Sequence, residues 1–285
     1  MLLAFTSDNR KSVFNVFENG KIKKIHNDNF QDFHRHYGLT WNRKNIFVSQ
    51  QTNILEYDKN FNFTRVVTNE THSGTHQILY KDDIIWVVST NTNCIHRIHL
   101  NGKKDYFLPL EGIYNKLPSE LEDTNHYNSI LIIDDKLYIS AHNRYEPSYI
   151  LVYHYPSLRL IHRIEGIGRK IHNILVIKDE IFTLDSGGTQ SLISNKGFSL
   201  KLGNPDQFLR GMACSEDYIF AGCFPWSEDR KIRTGGDSEI VIIDRKSMEI
   251  SERITVKDVG NINEIRLLDR FDYCHYNAPL LAKIF

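Results

Sequence analysis

Residues 172–185 join two apolar runs, Ile-Leu-Val-Ile and Ile-Phe-Thr-Leu, across a short Lys-Asp-Glu turn, with His172 in front. The same phrase returns at residues 36–49, 76–89 and 126–140, and in weaker form at 210–223 and 263–276. Four of these six copies are headed by histidine, and one by Arg210. Successive copies start about 40–50 residues apart, which is the period of a propeller blade. A lone hairpin leaves a large apolar face open to water, so a series of them must stack on one another around a common axis.

The segments between copies complete the blades. In the second copy, the runs 77–80, 84–89, 94–100 and 105–108 are separated by the turns Lys81-Asp82-Asp83 and Asn101-Gly102. The last copy is too short for a blade of its own. Residues 2–6, 13–17 and 21–25, with Asn19-Gly20 as a hairpin turn, supply what it lacks. The expected fold is therefore all-β: one six-bladed β-propeller over 1–285, mostly of four-stranded blades, closed by N-terminal strands joining the last blade. Helical patterning is poor, and residues 118–123 offer one turn at most. Two insertions interrupt the period, at 109–124 and 224–238. The second carries Trp226, five charged residues (Glu228, Asp229, Arg230, Lys231, Arg233) and Gly235-Gly236, and long connections of this kind often bear function.

Composition excludes several classes. The 35 basic and 35 acidic residues balance, so neither nucleic acid nor a membrane surface is an expected partner. No apolar run approaches the roughly 18 residues of a membrane span. The N-terminus lacks the basic start and long apolar run of a signal peptide. Cys94, Cys214, Cys223 and Cys274 have neither metal-finger nor redox spacing and read as reduced thiols. A cytoplasmic protein is expected, and the sequons at Asn62 and Asn69 are then incidental. The sequence does not specify an oligomeric state.

Four further motifs follow one another in order. They are Thr75-His76-Gln77 with Ile85-Trp86 and Cys94; Asp123-Thr-Asn-His126-Tyr-Asn128; Leu184-Asp185-Ser186-Gly187; and Phe208-Leu-Arg210-Gly211 with Asp217-Tyr218 and Gly222. Together with Arg35-His36-Tyr37-Gly38-Leu39 they make the chain similar, over about 240 residues, to a family of bacterial β-propeller proteins known only as conserved hypothetical proteins. This chain departs from that family at His36, where the family carries an apolar residue or alanine. The resemblance implies a propeller and carries over no reaction.

Equivalent ends of the innermost strands converge at one mouth of a propeller's channel. The copy heads are therefore the candidate site. Neutral imidazole is the commonest metal ligand, which makes His76, His126 and His172 the expected ligands of a divalent Zn, Fe or Mn ion. Arg210 is expected to act in catalysis by gripping a carboxylate or phosphate in bidentate fashion. Glu264 is expected as a base or as charge balance. His36, Asn128 and Asn173 are expected to orient substrate. The same ring also suits an anion site without metal, or histidines that merely cap turns. His72 reads as a loop residue near His76.

Other features read as structure. The run Asp185-Ser186-Gly187-Gly188 lacks the strand–elbow–helix context of a nucleophilic serine. Gly235-Gly236 is no phosphate loop, and no nucleotide cofactor is expected. The pairs Asp82-Asp83 and Asp134-Asp135 are turn chemistry. Tyr37, Tyr127, Phe224 and Trp226 fit strand packing, or the lining of a pocket. The expectation is a metal-dependent lyase, hydrolase or oxygenase acting on a small polar or anionic substrate. Its rival is a non-catalytic propeller that binds a ligand or a partner protein.

Overall fold

The computed structural model describes residues 1–9, 12–26, 36–69, 71, 74–117 and 122–281. His72, Arg35 and most of the turn expected at 118–123 lie outside these residues. The described chain forms six antiparallel sheets arranged as propeller blades. Blade 1 comprises His36–Trp41, Asn45–Gln50, Asn53–Asp58 and Phe63–Thr68. Blade 2 comprises Thr75–Lys81, Ile84–Ser89, Cys94–His99 and Lys104–Leu108, with Gly112–Tyr114 added as a fifth strand. Blade 3 comprises Tyr127–Ile133, Lys136–Ala141, Tyr149–His154 and Leu160–Ile164. Blade 4 comprises Ile171–Ile177, Glu180–Asp185, Ser191–Ser194 and Ser199–Lys201. Blade 5 comprises Gln207–Cys214, Tyr218–Pro225, Ser238–Asp244 and Glu249–Val256.

The ring closes as expected. Ile262–Leu267 is the inner strand of blade 6, and Leu2–Ser7, Phe14–Glu18 and Lys21–Ile25 complete it. A separate apolar cluster fills each of the six seams between blades. Alternation along a strand serves two seams at once. Leu3 and Phe5 pack toward blade 5, and Leu2 and Ala4 toward blade 1. Burial on both faces explains why runs such as Ile174-Leu175-Val176-Ile177 are almost wholly apolar. Each buried Leu or Ile contributes about 1.5–3 kcal/mol.

Two local expectations are corrected. Residues 271–276 form no strand, because the second strand of blade 6 comes from the N-terminus. They belong instead to a C-terminal segment lying across the lower ends of the inner strands. There Asp272 accepts from the amides of Cys214 and Leu267, and Asn277 donates to the carbonyls of Trp41 and Tyr80. The insertion at 224–238 contains a short helix, Arg230–Gly235, and begins only after the strand that holds Phe224. A cavity of about 650 Å³ opens beside the C-terminal segment, between Trp41, Tyr80 and Pro279. It lies at the end opposite His76, His126 and His172. No helix is long and apolar enough to cross a membrane among the described residues.

Candidate functional site

Every inner strand carries a β-bulge near its upper end. In blade 5, Leu209 pairs with Cys223 and Met212 with Ala221, so Arg210 and Gly211 together face Gly222. Blades 1, 2 and 4 repeat this, between His36 and Leu39, Thr75 and Ile78, and His172 and Leu175. Blade 3 skips Asn128 and blade 6 skips Asn263. Bulges re-aim side chains, and here they sit under the channel mouth. Below them, Leu39, Ile78, Ile130, Leu175, Met212 and Ile265 are equivalent and buried.

The copy heads, however, do not share one register. His76 and Arg210 lie within the bulge, whereas His36 and His172 are the paired residues just before it. His126 precedes its strand and has a φ of 53°. The expected six equivalent positions are therefore corrected to three offsets.

The side chains nonetheless meet. Tyr37 stacks on His76 with ring centroids 5.6 Å apart and planes 9° apart. His76 stands edge-to-face with His126 at 5.5 Å, and His126 meets His142 at 4.5 Å. His142 meets His172 at 5.7 Å, and His172 meets Phe208 at 5.2 Å. Arg210 closes the circuit with its guanidinium carbon 5.4 Å from the Tyr37 ring centroid. Sequence reasoning missed His142 and Phe208. His142 follows the second strand of blade 3 and lies opposite His126, its amide donating to the His126 carbonyl over 3.1 Å.

The imidazole tautomers follow from their partners. The Nδ1–H of His76 donates to the Gly74 carbonyl at 3.1 Å, and that of His172 to the Lys170 carbonyl at 2.9 Å. The Nδ1–H of His126 donates to the Asp123 carboxylate at 2.7 Å, which also takes a 2.7 Å bond from Arg144. In all three rings Nε2 is left as the lone-pair nitrogen. Burial, then the Arg210 cation, holds His76 and His172 well below the usual imidazole range. Burial and the neighbouring His126 push His142 down to about 3. These three rings are neutral at physiological pH. Asp123 is held below its usual range: hydrogen bonds and charge from His126 and Arg144 outweigh burial, which acts the other way.

The remaining expected residues lie under the mouth. Glu264 is 1 % exposed and contacts Arg266, which is fully buried, at 3.0 Å. Asn173 donates to Glu264 at 3.1 Å and accepts from the amide of Gly211 at 2.9 Å. Burial, opposed by Arg266 and by a hydrogen bond from Gln77, pushes the Glu264 carboxyl up to about 7. Asn128 donates to the Ile171 carbonyl and accepts from Ser129 and Ser140. Asn128 and Asn173 thus stitch blades together. His36 is buried, with its carbonyl bound by Asn263, and Tyr37 is the blade 1 residue in the circuit. Ser186 lies 3.0 Å from His172 Nδ1 but donates its proton to the Leu209 carbonyl. Among the described residues, no group of three or more His, Cys, Asp or Glu side chains is arranged to hold a metal ion.

No protein-family model matches the chain, and no curated protein matches it. Solved structures do. The nidogen/laminin complex aligns over 93 % of this chain and 97 % of that chain, with a TM-score of 0.65 at 10 % identity. A gluconolactonase-like protein aligns over 81 % of each chain, with a TM-score of 0.58 at 12 % identity. A streptogramin B lyase aligns over 84 % of this chain and 88 % of that chain, with a TM-score of 0.50 at 12 % identity. At these identities the likeness is one of fold.

Proposed function

We propose that this propeller is an enzyme acting on a small anionic substrate at the histidine mouth, with a divalent metal ion as cofactor. The observation that carries this reading is the set of three imidazoles whose Nδ1–H is fixed by a protein acceptor. Metal-binding histidines characteristically donate their second nitrogen in this way. Candidate ligands are Nε2 of His76, His126 and His172, with His142 between two of them. A Zn, Fe or Mn ion there would supply Lewis-acid polarisation of a substrate oxygen. Donor chemistry supports the ion; a preassembled ligand set does not.

The chain's own groups have separate tasks. Arg210 grips the substrate's negative charge. Neutral His142 accepts a proton or donates a hydrogen bond. Asp123 fixes the tautomer and the orientation of the His126 ring. Tyr37 and Phe208 keep bulk water from the rings. Glu264 and Arg266 neutralise each other beneath the mouth and keep that layer rigid.

Metal analysis of purified protein, with zinc titration of chelated protein, tests the proposal. The expected result is one bound transition metal per chain, lost in His126→Ala. Absence of bound metal, with the same zinc affinity in His126→Ala and wild type, would remove the metal. Anion binding that survives chelation would then favour a metal-free receptor built from Arg210 and the neutral imidazoles.

A further inference from the structure

The mouth is chemically lopsided. On the blade 5 side Phe208 leans on Trp226 at 4.9 Å and on Phe224 at 5.8 Å, and this wall continues the circuit outward from His172. Phe224 is buried and Phe208 half-buried, whereas Trp226 is 46 % exposed. A tryptophan so exposed beside a ring of imidazoles is costly in water, and tryptophan is among the residue types that most often anchor a ligand. Its position is fixed. The Trp226 amide donates to the Asp206 carbonyl at 2.7 Å, and the Arg233 guanidinium carbon sits 5.1 Å from the ring. Phe208 and Arg210 lie two residues apart on one strand, with Leu209 buried in the seam between them. One strand end thus offers an apolar ring and a planar cation side by side.

From this geometry we infer that the site takes a carboxylate joined to an aromatic ring, the carboxylate on Arg210 and the ring against Phe208 and Trp226. The inference rests on the reading of the mouth as an anion site and adds the substrate's apolar body. Edge-to-face and offset contacts at the spacings already present in the wall favour an aromatic ring over an alkyl chain of similar size. A carboxylate matches the guanidinium fork through two parallel N–H···O bonds.

The protein carries its own reporter. Of its three tryptophans, Trp41 and Trp86 are at most 2 % exposed, so Trp226 is the one a ligand at the mouth can reach. Phenylacetate, acetate and 2-phenylethanol are titrated into the full-length protein, following tryptophan emission and heat of binding. Phenylacetate is expected to bind at least about tenfold more tightly than acetate or 2-phenylethanol and to shift the emission. Trp226→Ala is expected to bring phenylacetate down to the affinity of acetate and to leave acetate unchanged. Arg210→Lys keeps the charge but removes the fork, and is expected to weaken both acids. Thermal melts confirm that each variant is folded. Acetate binding as tightly as phenylacetate would overturn the aromatic subsite and leave the anion reading standing. Failure of both acids to bind would overturn the two together.

Discussion

A Cβ placed on Gly222 would lie 2.2 Å from the carbonyl oxygen of Arg210. Gly222 is the single residue that faces the Arg210–Gly211 bulge, and the Ile262 side chain closes in from the neighbouring blade at 3.0 Å. Gly222→Ala should therefore push the bulge away and misplace Arg210. A loss of about 1–3 kcal/mol in urea unfolding is expected, with weaker acetate binding in the variant that remains folded. Unchanged values for both would mean that the bulge does not depend on this close approach.

Asp123 holds His126 through a short bond to Nδ1 and is itself clamped by Arg144. Asp123→Ala should free the ring to exchange tautomers, which nitrogen NMR of His126 would report directly. Zinc affinity should fall by roughly 10–100-fold, the usual effect of removing an outer partner of a ligand. The Arg144 side chain is about half exposed, so Arg144→Ala should cost at most about 1 kcal/mol. An unaltered His126 tautomer in Asp123→Ala would count against the tether.

The Glu264–Arg266 pair is out of contact with water, so removing one partner strands the other. Arg266→Met should cost roughly 3–5 kcal/mol at pH 8. The folded-state carboxyl titrates near 7, above the ordinary value of 4.5, so its contribution is fully present below 4.5 and is lost as pH rises through 7. The variant should accordingly lose less stability at pH 6, where Glu264 carries a proton, than at pH 8. Adding Glu264→Gln should recover most of the loss. A double-mutant cycle with no coupling would show that the pair is not a unit.

His275 is buried against Trp41, with ring centroids 4.1 Å apart, and is hydrogen-bonded to Thr40. Burial, then Arg266, holds it well below the ordinary value of 6.5. A depressed imidazole contributes stability that is present above 6.5 and is lost as pH falls below it. Each such group costs about 1.4 kcal/mol per pH unit in that window. Unfolding midpoints between pH 7.5 and 5.5 should fall less steeply in His275→Gln than in wild type. Identical slopes would remove His275 from the acid response and leave it to His76, His142 and His172.

The blades were legible because each hairpin is a local code. Turns at Asp82, Asp134 and Lys178 adopt positive φ between apolar runs of fixed length, and a period of two seats each run. The convergence of His76, His126 and His172 followed from the repeat, but their offsets did not. A bulge inserts one residue without altering the apolar pattern on either side, so residues 36, 76, 126, 172 and 210 look equivalent until the pairing is known. His142 was hidden for the opposite reason: it stands at no copy head and is found only by carrying the register of blade 3 past Ala141 to the residue opposite His126. The weak sixth copy at 263–276 does not become a hairpin, because the edge its second run would pair with is occupied by Leu2–Ser7.

The C-terminal segment also bears on traffic through the molecule. With Asp272, His275 and Asn277 bound to the lower ends of the inner strands, and Glu264 and Arg266 packed above them, a layer of buried polar side chains lies beneath the mouth. A substrate of the proposed site would then enter and leave by the mouth. If the proposed activity holds, a spent molecule would leave before a fresh one entered, so product should compete directly with substrate. Turnover at the proposed site would be paced by how quickly the mouth clears.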